Sequence, residues 1–507
     1  MNKIKEQFQN DFEESNKKVE LSFDVTQLQP NEESEVTFEE VKRKKRNKRR
    51  IIIVCVSTAV VLTVVGISLS QMLEVHSSVT TAKRNLSANA IAIAESNTFK
   101  KLNNFNYPDQ ASPKFSNISN GTMSSYNSFV NQTYHSLVDS SKKDNMSYAS
   151  IGLYSIMNEL YGAISRDDLK TQFDQLLGLN ESSRKTFYKI VMEANSFINE
   201  DNTTQLKNSA FFNNEFAYSV EYVDKLTELY CEAYQIDFGN EANKMVEWAN
   251  KAVGSDGFID EKFLEVTKDS QLYYFSTLYF KNAWGTKYLS EDNVDDDFYL
   301  SNGSKKTTKY MKHSYFSSDY YDYGSYISIR DYYMAGCASI TYFVPKKVDD
   351  DIFALTKNAN IFEEKEENRV KTNNEYGSYF EPFMVNLQTP KFKVNVELDL
   401  KDSLRNLGFA DMFNEDVDSF RYAFDDPKIF NYNTYLKQVK QKNEVEFNED
   451  GAIVKSISMA EMDAKETSVG PMSGDVLDVK LNQPFIYIIR DCNNVPILVG
   501  HMDNPIY

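Results

Sequence analysis

The feature that most constrains this chain is a run of nineteen residues without a single charge, Ile51–Leu69 (IIIVCVSTAVVLTVVGISL). At about 1.5 Å of rise per helical residue, the run nearly matches the ~30 Å hydrocarbon thickness of a bilayer. Eight of the ten residues immediately before it, Val41–Arg50, are Lys or Arg, whereas Gln71–Ser78 contains neither. That asymmetry predicts a transmembrane helix over 51–70, with the N-terminus cytoplasmic and everything after residue 70 extracytoplasmic, a single-pass protein of the cell membrane. A cleaved leader fits poorly, because fifty residues precede the run and no A-x-A site follows it. Residues 1–50 read as a disordered cytoplasmic tail ending in the basic run, rich in Glu, Asn and Gln and without sustained periodicity. Beside a spanning segment the cations act as topology determinant and anionic-lipid contact. Residues 71–117 read as a stalk, with some helical character over Asn85–Leu102 until Pro108 and Pro113 break it, and 118–507 as the folded domain.

Composition excludes several classes of function. The formal net charge of −18 argues against nucleic acid as a partner, since phosphate binding needs a cationic surface. The four cysteines, Cys55, Cys231, Cys337 and Cys492, form no regular framework, so the core must hold the fold, with room for one incidental bridge among the last three. His76, His135, His313 and His501 lie far apart, and HExxH, paired CxxC, P-loop and GxSxG motifs are all missing. No metal, no cofactor and no catalytic residue is expected, and the chain does not read as an enzyme.

Beyond residue 118 the pattern mixes helices and strands. Asn145–Ala163 and Leu169–Leu177 have helical composition, the second followed by Gly178 as a C-cap. From Leu272 onward strand-like runs dominate: LYYFSTLYF, SYISI, ASITYFV, PFMVNL, FKVNVEL and PFIYII. Helices early and strands late indicate an α+β fold with large mixed sheets.

Several runs fall in the order and spacing of one family. Thr277–Trp284 (TLYFKNAW) resembles N-A-I-Y-F-K-G-x-W, and Asp331–Pro345 resembles L-P-Y-x-G-x-x-S-M-x-I-x-L-P. Pro390–Lys393 matches P-K-F-K, and Leu398–Phe413 follows as D-L-x-x-x-L-x-x-L-G-M-x-D-A-F would. Glu446–Gly451 (EFNEDG) resembles E-V-N-E-E-G, and Pro484–Pro505 the C-terminal P-F-x-F-x-I-R-D … I-L-F-x-G-x-x-x-N-P. In the first half Asn208–Phe212 and Gly257–Ile259 are the best anchors. Taken in order, these residues resemble the serpin family over about 390 residues, a divergent, membrane-anchored member.

The resemblance implies a serpin-like fold with an exposed reactive-centre loop and a two-state mechanism. A strained loop is cut by a protease and inserts as a new strand in the main sheet. Four family positions that help the sheet open depart here. S-P-x-S reads Ala149-Ser150-Ile151-Gly152, the strand Asn becomes Ser276, and the His eight residues before the hinge Glu becomes Gln441. Removing one partner of a buried polar cluster is costly while replacing the set together is nearly neutral, so concerted change points to a rebuilt opening mechanism or to none.

The hinge by resemblance comprises Glu449, Asp450, Gly451, Ala452, Val454, Ser456 and Ser458. Strand alternation places Ala452, Val454, Ser456, Ser458, Ala460 and Met462 on the buried face of an inserted strand, a set without charge, while Lys455, Glu461 and Asp463 face outward. Counting from Glu449 by the family spacing puts the reactive bond at Lys465–Glu466, and counting back from Pro484 puts it near Met472–Ser473. The hinge-side count favours Lys465 and hence a trypsin-like target. The resulting expectation is a surface-anchored, monomeric suicide-substrate inhibitor of serine or cysteine proteases. The alternative is a non-inhibitory adhesin or binding module on the same fold.

Overall fold

The runs marked as strands by their apolar and β-branched composition are strands, and the sheets they build decide where a loop could go. The structure is a computed structural model that describes residues 91, 93–108, 112–140, 144–199, 202–267, 269–334, 338–348, 350–371, 383–454 and 476–507. The chain divides into two units, Met1–Ser77 and Ser78–Tyr507, and all described residues belong to the second. The expected transmembrane helix at 51–70 and the tail before it lie outside them. No helix among the described residues is long and apolar enough to cross a membrane.

The large sheet runs in the order β1 (Lys100–Lys101), β5 (Cys231–Ile236), β4 (Asn202–Asn213), β6 (Leu272–Asn282), β15 (Gly451–Val454), β14 (Lys440–Asn448) and β13 (Phe392–Asp399), with β3 (Ser196–Ile198) paired to β4. A second sheet runs β2 (Met146–Tyr148), β18 (Pro496–Met502), β17 (Phe485–Arg490), β11 (Ser339–Pro345), β10 (Tyr326–Tyr332), β9 (Tyr320–Asp322). A third joins β16 (Val476–Lys480), β12 (Phe383–Pro390), β8 (Lys305–Ser317) and β7 (Val294–Tyr299). The longer helices are α1 (Asn120–Ser140), α2 (Ser150–Tyr161), α3 (Asp167–Leu177), α4 (Glu181–Ala194), α5 (Val220–Glu228) and α6 (Asn243–Ala252). This is the α+β architecture expected from helices early and strands late.

Alternation along the strands divides the core in two. On β4, Ala210 and Phe212 join the main core with α1 to α4, while Phe211 between them faces the other side. There it meets Tyr234, Ile236 and the inner face of α6 (Met245, Trp248, Ala249, Ala252). Helix α3 ends as expected, with Gly178 in the left-handed region at φ 70° and its N–H returned to Asp174 O. The helix expected over Asn145–Ala163 starts late, because Met146–Tyr148 pairs with β18 as the edge strand of the second sheet before α2 begins at Ser150.

The stalk boundary at 117 falls too late. Lys100 and Lys101, inside the expected stalk, pair with Gln235 and Tyr234 at the outer edge of the large sheet, and Phe99 is fully buried. The stretch Asn85–Leu102 does not continue as a helix: from Ile93 the described backbone is irregular and ends in that strand. An aromatic side chain and a free sheet edge in register outweigh weak helix propensity.

A slot in the large sheet as the candidate functional site

Strands β6 and β14 are the two sides of the candidate site. Each is fully paired on its outer side: β6 with β4 from Asn282↔Asn202 to Leu272↔Phe212, and β14 with β13 along its length. Between them lies only the four-residue β15, antiparallel to both, which pairs with Phe280–Asn282 and Glu446–Asn448. Below β15, Leu272–Tyr279 and Lys440–Val445 face one another with no pairing between them among the described residues. A cavity of about 790 Å³ runs through this gap and on to Phe420, Phe424, Ile429 and Tyr432; in the gap it is floored by Gly152, Leu153, Ile156 and Leu160 of α2 and roofed by Phe258, Ile259, Phe263 and Leu264. Two unpaired edges about one strand apart, over an apolar floor, are a template for strand addition.

The mouth of the slot is built by the expected hinge residues. The chain leaves β14 at Asn448, turns through Glu449–Asp450 and returns as β15. Gly451 sits at φ 145°, and a Cβ there would stand 2.1 Å from Asn282 O, so only glycine fits. Ala452 is fully buried, which sets the parity that alternation assigned to it. Trp284 Nε1 donates to Asn448 O at 2.7 Å, holding the turn from the β6 side. Lys391 Nζ lies 2.8 Å from Glu449 Oε2, and Asn293 Nδ2 donates to Oε1. Partial burial alone would raise the Glu449 pKa, but the hydrogen bonds from Lys391 and Asn293 outweigh it and hold the carboxyl below its ordinary value.

Further down, all four departing positions meet at one place. Gln441 accepts from the Ala149 N–H at 2.8 Å and donates through Nε2 to Ala149 O at 2.9 Å, while Asn443 Nδ2 donates to Gln441 Oε1 at 3.0 Å. A Cβ on Gly152 would stand 3.3 Å from Gln441 Nε2 and 3.7 Å from Ser276 Oγ. The glycine thus leaves the room that the longer amide uses, which is the physical sense of the concerted change. Ser276 Oγ is enclosed and has no hydrogen-bond partner among the described residues. Across the slot, Lys440 Nζ pairs with Glu265 at 2.5 Å, Gln438 Nε2 donates to Leu264 O at 2.8 Å, and Lys442 lies over the Phe258 ring.

Of the residues singled out from sequence, Glu449, Asp450, Gly451 and Ala452 form the mouth and Val454 ends β15, while Ala149, Gly152, Ser276 and Gln441 form the middle. Ser456, Ser458, Lys465, Glu466, Met472 and Ser473 lie outside the described residues. Trp284 and Lys391 are visible in the sequence only as motif letters; their proximity to hinge residues 164 and 58 positions away carries no local signal. Among the cysteines, Cys231 is free and buried, and Cys492 is disulfide-bonded to a partner outside the described residues.

The family model for "Serpin (serine protease inhibitor)" matches residues 124–505. The chain belongs to the serpin family. Among curated relatives it is 27% identical to Serpin-Z4 of Hordeum vulgare over 252 residues, which cover 48% of this chain and 57% of that serpin. It is 24% identical to human Serpin B3 over 395 residues, covering 72% of this chain and 95% of the relative. The solved structure of Arabidopsis AtSerpin1 in its native stressed conformation superposes with a TM-score of 0.63 at 17% identity, covering 77% of this chain and all of that one. The thermophilic serpin Tengpin superposes equally well in its native and latent states, at TM-scores of 0.60. The likeness therefore shows the serpin fold without distinguishing the state of the loop.

Proposed function

We propose that this serpin is a surface-anchored suicide-substrate inhibitor of serine or cysteine proteases, acting by cleavage of its loop and insertion of the cut strand into the slot. The observation that carries the proposal is the slot, two facing strand edges with the loop's first four residues already seated between them. Extending the register of β15 residue by residue opposes Ser458 to Ser276 on one side and Gln441 on the other, and Met462 to Leu272, the first residue of β6. The strand Gly451–Met462 thus fills the slot, and its inward set supplies the orphan Ser276 Oγ with the hydroxyl of Ser458.

Slot length bears on the reactive bond. Lys465 lies three residues past Met462, a tether of about 10 Å, whereas Met472 lies ten past it, about 33–36 Å of extended chain. An acyl-linked protease is pulled out of its working geometry only by the short tether, which supports Lys465–Glu466 and a trypsin-like target. The protease's own nucleophile forms the acyl bond to the Lys465 carbonyl and releases the amine of Glu466; the serpin contributes strand pairing and burial, with no catalytic residue of its own. The charge pattern around Ile51–Leu69 supports attachment to the cell membrane with the serpin domain outside.

The test is a panel of serine and cysteine proteases added to the purified protein, following loop cleavage and SDS-stable complex separately. An inhibitor gives a covalent complex that Lys465→Ala abolishes and that Val454→Arg, by placing a charge on the buried face, converts to simple cleavage, whereas Lys455→Ala leaves it unchanged. Cleavage at Lys465 without complex in the wild type would instead make the protein a binding module on the serpin fold.

A further inference from the structure

We propose that Ile91–Tyr107, which precedes the segment matched by the serpin family model, is a strap that holds the roof of the slot and so sets how readily the slot opens. The consequence for opening rests on the function proposed above; the strap itself rests on contacts in the uncut molecule. The strap continues the large sheet outward. After β1, Leu102 N donates to Ala233 O at 2.8 Å. The Asn103 side chain then acts as a further strand residue, donating to Cys231 O and accepting from Ala233 N, both at 2.9 Å. Tyr107 OH closes the strap on Asn208 O at 3.2 Å.

Two connections run from the strap to the roof. One is a row of rings: Phe99 stacks on Tyr234 at 5.2 Å, Tyr234 on Phe211 at 5.0 Å, and Phe211 meets Trp248 of α6 edge-on at 6.2 Å. The other is a single fully buried carboxylate. Glu232 Oε1 accepts from Lys101 Nζ at 2.6 Å, and Oε2 accepts from Trp248 Nε1 at 2.7 Å and from Ile91 N at 3.4 Å. Strap and helix share this carboxylate, so displacing the strap leaves a buried charge under-satisfied beneath α6. Helix α6 is in turn fixed to the roof by Asn250, whose side chain donates to Ile259 O at 3.0 Å and accepts from Ile259 N at 2.9 Å. A strand entering the slot must pass beneath Phe258–Leu264, so the grip on α6 is a grip on the slot.

Hydrogen exchange on the full chain in detergent tests the coupling before any protease is present. Phe99→Ala should speed exchange in Asn243–Ala252 and Ile259–Leu264 by about tenfold or more, with α1 unchanged. If that variant does not fold, Lys101→Ala keeps Phe99 and the ring row and removes the strap's ion pair to Glu232 together with the ammonium over the Tyr234 ring, with the same pattern expected at smaller size. Faster exchange confined to 91–107 would overturn the proposal. Heating the same proteins then separates the two readings. Faster conversion of the variant to a loop-inserted form supports both, whereas loosened α6 with no conversion in either protein keeps the strap and overturns the inhibitor.

Discussion

The mouth and the middle of the slot are built by opposite rules. At the mouth nearly every polar group is satisfied: Glu449 has Lys391 and Asn293, Asn448 O has Trp284, and Gly451 supplies the one conformation the turn allows. In the middle satisfaction is uneven. Gln441 bridges to the Ala149 backbone, Gly152 is a missing side chain, and Ser276 Oγ has no partner among the described residues. The difference teaches which part must stay fixed. If the loop inserts as proposed, the mouth holds the hinge in both states and its satisfaction costs nothing, whereas the polar contacts that line the middle, such as Gln441 to Ala149, are the ones an entering strand would disturb.

The largest effect should come from the mouth's backbone. Gly451→Ala forces a side chain into a φ of 145° and against Asn282 O, and should lower the stability of the uncut protein by about 3 kcal/mol, read by denaturant unfolding. A variant as stable as wild type would mean that the hinge can leave the slot without loss.

Next comes the ion pair. Glu449→Gln leaves Lys391 partly buried without its counter-charge and should cost about 1–3 kcal/mol near neutral pH. Because the folded pKa of Glu449 is depressed, its stabilisation is fully present above the unfolded carboxyl value of ~4.5 and is lost as the pH falls through the lower folded value. The wild type and Glu449→Gln should therefore converge in stability on acidification, and a gap that stays constant from pH 7 to pH 3 would contradict the pair's role.

The smallest effects belong to the middle. Ser276→Ala removes a hydroxyl that has no partner among the described residues and should be neutral or stabilising within about 1 kcal/mol in the uncut protein. If Ser458 reaches it on insertion, the same substitution should lower the stability of the cleaved form, which differential unfolding of cut and uncut protein would reveal. Gly152→Ala presses a Cβ to 3.3 Å from the Gln441 amide and should cost under about 1 kcal/mol, because that side chain can yield by a few tenths of an ångström.

How much of this was legible in the sequence follows the same division. Strands with apolar or β-branched runs, such as Leu272–Asn282 and Phe485–Arg490, announce themselves, and Gly178 announces the end of α3. Strand β4 (NTTQLKNSAFFN) does not. It is polar yet buried along its length, because neighbours on both sides and layers on both faces supply the partners that its side chains lack locally. The acidic β7 and basic β8 are likewise strands through their mutual pairing rather than their propensity. The hinge glycine and the four departing positions could be named from the resemblance, but not that Gln441 reaches back to Ala149, nor that the strap begins at least 27 residues before the boundary placed at 118. Such facts depend on contacts more than a hundred residues apart, and no window of sequence contains both partners.

The slot's role in receiving its own loop is tested most directly by thermal unfolding of the protein before and after a single cut within 455–475. Insertion adds a strand between β6 and β14, so the cut protein should melt at a clearly higher temperature than the uncut one, and Val454→Arg should cancel the rise. A melting temperature that does not change on cutting would mean that the slot stays empty, and would contradict the inhibitor reading.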